Sequence, residues 1–280
     1  MDRPIIFSPS MVRALLGGRK RQTRRIIAGE VPEPPAMDSI HPKNTARHPA
    51  PYLDSYCGGK RTAANPRGMS DRWCWWTRDD RQKLPTFKVP FVPGDRLWVR
   101  EAHMFIGGGD PGILLYRADC REGARRQGLD NIPADEPKGW RSPIFMPRAL
   151  SRLTLIVTEV RVERLQDISE EDAIAEGATM RPACHGFRQQ CGGWSMDWSQ
   201  VGQPSKFALT GFLSEAEISL GGAREAFGAF INELHDQRWN LKGDGIWGEN
   251  PWVVAITFQT IRKNIDSLDR PVSQSSGGEA

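Results

Sequence analysis

Cysteine is scarce and unpaired in this sequence: five in 280 residues, an odd number. That excludes the disulfide framework of a small secreted domain and points to reduced thiols. No Cys-x-x-Cys pair is present either. The loose group Cys184, His185 and Cys191, with Cys57 or Cys74, therefore lacks the tight pairs of zinc fingers and knuckles, and no metal is expected. No apolar run approaches the length of a membrane span, and no apolar leader opens the chain. A soluble, cytoplasmic protein that does not meet a membrane is the expectation. Internal repeats are lacking, and the glycine-rich stretch 106–112 has no phosphate-cradling spacing. At 39% hydrophobic the chain is lean, yet it has enough apolar residues for one core.

Lysine is the scarce cation. Of 38 basic residues 29 are Arg and 9 are Lys. Arginine forks pair with phosphates and stack on bases, although a GC-rich genome also codes arginine freely. The charge is unevenly spread. Residues 1–100 hold 19 Lys and Arg against 9 Asp and Glu, a net of +10, while the remainder holds 19 against 25, a net of −6. A locally positive segment calls for an anionic answer, either a phosphate or a carboxylate of the protein itself.

The elements follow from pattern. Pro4–Phe7 reads as a strand, and Ser8-Pro9 caps a helix over about 9–16 that Gly17-Gly18 stops. Residues 28–92, rich in Pro, Gly, Asn and Asp, read as an insertion. Within it, Trp73-Cys74-Trp75-Trp76 packs on the main fold or walls a flat ligand. Pro93-Gly94-Asp95 is a turn before the alternating strand Arg96–Glu101. Ile113–Ala118 is another strand, and 120–142 a polar loop. The longest β pattern runs from Leu153 to Leu165, with Val157 and Val160 out of phase, a mark of a bulge near Thr158-Glu159. A short helix then follows Ser169 and ends at Gly177. Residues 178–213 read as a second insertion, Gly222–His235 as an amphipathic helix, 239–250 as a loop, and Val253–Phe258 as a central closing strand. Residues 263–280 read as a disordered tail.

One stretch stands out. Gly18-Arg19-Lys20-Arg21-Gln22-Thr23-Arg24-Arg25 carries five basic side chains in the seven positions from 19 to 25. Its spacing Gly-x-Lys-x-x-Thr-x-Arg resembles the signature of the ASCH domain, a small PUA-like β-barrel, with Gly18, Lys20, Thr23 and Arg25 in the four signature places. The Gly94-Asp95 turn and its strand continue the likeness. Glu176 is in the last turn of its short helix, where the dipole disfavours an anion, so it needs a cation nearby. In Ala175-Glu176-Gly177 it also falls where the family's catalytic glutamate stands. The layout as a whole resembles large ASCH-containing proteins of bacteriophages and prophages.

The resemblance implies an α+β fold. It would be a mixed PUA-like barrel over 1–262 with short flanking helices and two long loop-rich insertions, at about 28–92 and 178–213. It also implies the Lys-Thr-Glu chemistry of bacterial N4-acetylcytidine amidohydrolases, carried here by Lys20, Thr23 and Glu176. Lysine is a weak base at its ordinary pKa, and neighbouring cations and burial would lower that value. A neutral amine can then activate Thr23 or water, or attack directly. Thr23 is the nucleophile or an oxyanion donor, and Glu176 carries a proton or orients Lys20. Substrate contacts fall to Arg25 and Arg19, to Arg100 and Glu101, and to the aromatic residues Trp98, Tyr116 and Trp75. No cofactor is needed. The partner is a modified cytidine nucleoside or a nucleic acid. The competing readings are an RNA- or DNA-binding module without catalysis and a nuclease acting on RNA.

Overall fold

The computed structural model describes residues 1–35, 50–76, 85–107, 112–128, 139–181, 193–196, 221–239 and 245–268. Their strands are β1 (Asp2–Ile6), β2 (Gln22–Ile26), β3 (Tyr52–Ser55), β4 (Arg72–Trp76), β5 (Phe87–Lys88), β6 (Arg96–Arg100), β7 (His103–Ile106), β8 (Ile113–Tyr116), β9 (Thr154–Arg164), β10 (Thr179–Arg181), β11 (Gly193–Ser195) and β12 (Trp252–Ile261). The helices are α1 (Pro9–Leu16), α2 (Cys120–Arg126), α3 (Glu170–Glu176), α4 (Ala223–Trp239) and α5 (Gly245–Glu249). The fold is mixed α+β. No sheet among the described residues closes into a barrel. The chain divides into two compact units, residues 1–12, 96–155 and 260–280, and residues 13–95 and 156–259.

In the first unit β1 runs parallel to β6, with Asp2 opposite Arg96 and Ile6 opposite Arg100. Val99 donates its N–H to the Leu153 carbonyl at 3.0 Å, which adds the approach to β9 on the other side of β6. Leu97 and Val99 are fully buried there, as their alternation requires. β7 and β8 form an antiparallel pair. The tail begins later than composition suggests. Asn264 caps a turn over Ile265–Ser267, and Ile265 is wholly buried. Residues 269–280 of the expected tail lie outside the described residues. The 120–142 segment, expected as loop, starts with α2; its sequence has no apolar periodicity to announce a helix.

In the second unit the sheet order is β9-β12-β2. β12 and β2 are antiparallel, with Ile256 opposite Thr23 and Ala255 opposite Arg24. Val253, Val254, Ala255 and Ile256 are all buried, as expected of a strand covered on both faces. In β9, Leu155 and Val157 are buried, Thr158 and Glu159 are both exposed, and Val160 is buried again. This is the phase slip expected at 158–159. α3 packs on both α4 and β2. The first insertion is not structureless: β3, β4 and β5 form a three-stranded antiparallel sheet. Trp73 and Cys74 are buried in it, and Trp76 stacks on Tyr56 with ring centroids 6.1 Å apart. From the second insertion only β10, β11 and a few neighbours are described; Cys184, His185 and Cys191 lie outside the described residues.

Candidate functional site

The signature loop is fixed by backbone bonds before its side chains act. The N–H groups of Arg19 and Lys20 both donate to the Ala14 carbonyl near the end of α1, at 3.0 and 3.2 Å. Gly18 makes the turn possible with φ +70°, a left-handed conformation that a Cβ would strain. Arg21 then donates its N–H to the Ala175 carbonyl at 2.7 Å and accepts from the Phe258 N–H at 2.9 Å. The loop is thus pinned to the C-terminal end of α3 and to β12.

α3 is short and built by its caps. The Ser169 hydroxyl accepts the Asp172 N–H, and Gly177 closes the helix at φ +114°. That end presents carbonyls and the negative pole of the helix, a favourable place for a cation. The Lys20 ammonium fills it. Nζ donates to the Glu176 carbonyl at 3.1 Å and to Glu176 Oε2 at 2.5 Å, although 156 positions separate the two residues. Lys20 is 1% exposed and Glu176 3%. Burial pulls the Lys20 pKa below its ordinary value; the Glu176 charge opposes this, and Arg25 and Arg24 reinforce it.

Glu176 has a second cation. Arg24 Nη1 donates to Glu176 Oε1 at 3.3 Å and to Gln22 Oε1 at 2.6 Å. The rest of the Arg24 fork goes to Glu163 Oε1, at 3.1 Å from Nε and 2.7 Å from Nη2, and to Asp172 Oδ2 at 2.8 Å. Arg161 also donates to Asp172 Oδ2, at 2.6 Å, and Gln22 Nε2 to Asp172 Oδ1 at 3.1 Å. For Asp172, burial alone would raise the pKa, but the Arg161 hydrogen bond and the Arg24 charge win and hold it below its ordinary value.

Of the residues expected from sequence, Lys20 and Glu176 are in direct contact. Thr23 is buried on β2 between Gln22 and Arg24. Strand alternation sends its side chain to the opposite face from theirs. Arg25 feels the Glu176 charge, which works against the burial that lowers its own pKa. Arg19 has a buried Nε with no hydrogen-bond partner among the described residues. Trp75 donates Nε1–H to the Pro32 carbonyl at 2.7 Å and meets Trp252 edge-on, with centroids 6.0 Å apart. Trp98, Arg100, Glu101 and Tyr116 belong to the first unit and are engaged inside it. The Arg100 guanidinium lies 4.8 Å from the Trp98 ring centre, Arg152 forks onto Glu101 at 2.8 Å twice, and Arg152 stacks 3.9 Å from the Tyr116 ring.

Sequence reasoning placed Arg24 beside Lys20 only as a repelling cation, and missed Glu163 and Asp172 as members of the cluster. Asp172 reads locally as a helix-start residue, and nothing short-range ties it to Arg24. Among the described residues no group of three or more His, Cys, Asp or Glu side chains is placed to hold a metal, and no helix is long and apolar enough to cross a membrane. A comparison with known proteins finds no matching family model, no matching curated protein and no matching solved structure.

Proposed function

We propose that this chain is an ASCH-type amidohydrolase that removes the acyl group from N4-acylated cytosine nucleosides, with Lys20 and Glu176 as its reacting pair. The observation that carries this reading is the buried contact of Lys20 with Glu176, two residues that the signature picks out from distant parts of the chain. Water adds to the acyl carbonyl, the carbon–nitrogen bond breaks, the acyl group leaves as a carboxylic acid, and N4 takes up a proton. Lys20, once neutral, accepts the proton of the attacking water. Glu176, at hydrogen-bond distance from Nζ, is the nearest carrier for that proton toward the leaving amine. Thr23, whose side chain is sent to the face of β2 opposite Gln22 and Arg24, is given no part in this reaction. Arg19 brings an unspent donor to the same loop.

The binding-module reading needs the cations of the 19–25 stretch free to meet phosphates. Two of them are already answered from within: Lys20 by Glu176, and Arg24 by Glu163, Asp172 and Glu176. That weighs toward chemistry at this loop over a phosphate grip. The test is incubation with N4-acetylcytidine, following release of cytidine. Lys20→Ala and Glu176→Ala should each lower turnover by about 10²-fold or more. Turnover that persists in both variants would dispose of the site; absence of turnover in the wild type, with salt-sensitive binding of RNA, would favour the module.

A further inference from the structure

Arg24 is not a place of the signature, and the proposed chemistry does not call on it. Yet it is the most heavily answered side chain of the cluster. It is 5% exposed and faces three carboxylates and an amide oxygen. Its bonds to Glu163 and Asp172 are 2.7 and 2.8 Å, and the one to Glu176 is longer, at 3.3 Å. The two oxygens of Glu176 are thereby divided, Oε1 facing Arg24 and Oε2 facing Lys20.

We propose that Arg24 is a positioning residue: clamped by Glu163 and Asp172, it holds one oxygen of Glu176 and leaves the other for Lys20. This rests on the reading of Lys20 and Glu176 as the reacting pair. Two consequences follow from the geometry. The carboxylate plane is fixed at both ends, so Oε2 stays aimed at Nζ. The charge of Glu176 is also shared, so it cannot lock Lys20 fully as an ammonium. How large a share Arg24 takes depends on how well its own anions satisfy it. The charged groups facing this set are Lys20 on the loop, Arg24 and Arg25 on β2, Arg161 and Glu163 on β9, and Asp172 and Glu176 on α3. α4 contributes the Phe227 ring, whose centre lies 5.8 Å from the Arg24 guanidinium.

Opposite changes in the clamp should move Lys20 in opposite directions. Arg24→Met leaves Glu176 to Lys20 alone and removes a repelling cation, so the amine should hold its proton to higher pH. Glu163→Gln and Asp172→Asn leave Arg24 under-neutralised. It then draws harder on Glu176, and the amine should lose its proton at lower pH. The readout is the side-chain Cε titration of Lys20 by NMR, identified by its disappearance in Lys20→Arg. The ascending, low-pH limb of any turnover profile should move with it. Asp172 also acts on Lys20 directly through space, so the double variant Arg24→Met/Asp172→Asn decides: if Arg24 transmits the effect, Asp172→Asn should shift Lys20 far less in that background. Shifts of the same sign in all three single variants, or an undiminished Asp172→Asn shift in the double variant, would overturn the proposal. Should Arg24→Met fail to fold, the signs from Glu163→Gln and Asp172→Asn still decide it: no downward shift in either sinks the idea. Lys20 shifts of the expected signs in a protein that releases no cytidine would uphold the clamp while removing the amidohydrolase reading.

Discussion

Among the described residues each unit has a buried carboxylate answered by arginine, Glu101 in the first and Glu176 in the second, and the two clusters are closed differently. In the first, Arg152 gives Nε and Nη2 to the two oxygens of Glu101 at 2.8 Å, gives Nη1 to Asp119 at 2.9 Å, and lays its flat face on Tyr116. Its cation is a guanidinium that holds its proton at any working pH. Asp119, which burial alone would raise, is held below its ordinary value by the Arg152 hydrogen bond. In the second, Glu176 is divided between an arginine and a lysine, and the lysine is the one cation there whose proton can leave. The first pair cannot exchange a proton at any working pH and the second can, which is what the proposed chemistry asks of it.

Lys20→Arg strikes that distinction most directly. It retains a cation opposite Glu176 but removes the proton exchange, so cytidine release should fall by about 10²-fold or more, measured at saturating N4-acetylcytidine. A variant that keeps turnover would end the contrast between the clusters.

Removing the anions comes next in size. Glu101→Ala leaves Arg152 half-answered and Glu176→Ala takes away the carboxylate opposite Lys20. Breaking a buried pair this way costs about 3–5 kcal/mol. The two should part company with pH. Arg152 cannot shed its charge, so the Glu101→Ala loss should be flat between neutral and alkaline pH. Lys20 can, so the Glu176→Ala loss should shrink as pH rises. The wild type carries the same sign. The folded Lys20 pKa is below its ordinary 10.5, so over that interval the unfolded chain binds more protons. Stability from this group therefore grows as pH climbs toward 10.5 and is lost as pH falls through the folded value. Urea midpoints for wild type and Lys20→Met across that range are the measurement; identical pH dependence would count against it.

Smaller effects test the scaffolds. Ser169→Ala removes the cap of α3 and should cost about 1 kcal/mol in urea denaturation, with turnover lowered because Glu176 closes that helix. Smallest is a spectroscopic mark of the first cluster. Burial pushes the Tyr116 phenol up to about 12. In an alkaline absorbance titration one of the three tyrosines should therefore ionise late, and Tyr116→Phe should delete that late phase. The folded value lies above the unfolded one, so the stability this group lends is full at neutral pH and is lost as pH rises toward 12.

Much of this was legible in advance, and the remainder was hidden for physical reasons. Caps and stops located α1 and α3, because Ser8-Pro9, Ser169, Gly177 and the glycines after Leu16 act on their immediate neighbours. Alternation located β6 and the apolar run located β12. Glu176 was marked by standing against its own helix dipole. Arg24, Glu163 and Asp172 were not legible as a set, since their pairing depends on β2, β9 and α3 meeting in space. α2 was missed because Cys-Arg-Glu-Gly-Ala-Arg-Arg has no apolar stripe. The β3–β5 sheet was missed because its strands are short and lie among turn-forming residues.

The Lys20 amine finds its carboxylate only across 156 positions of chain. A fragment lacking α3 would lack the carboxylate opposite this lysine, however well the loop before it formed. The pair is therefore complete only once the helix carrying the glutamate has docked. A nick or local melting that frees that helix would part the two side chains.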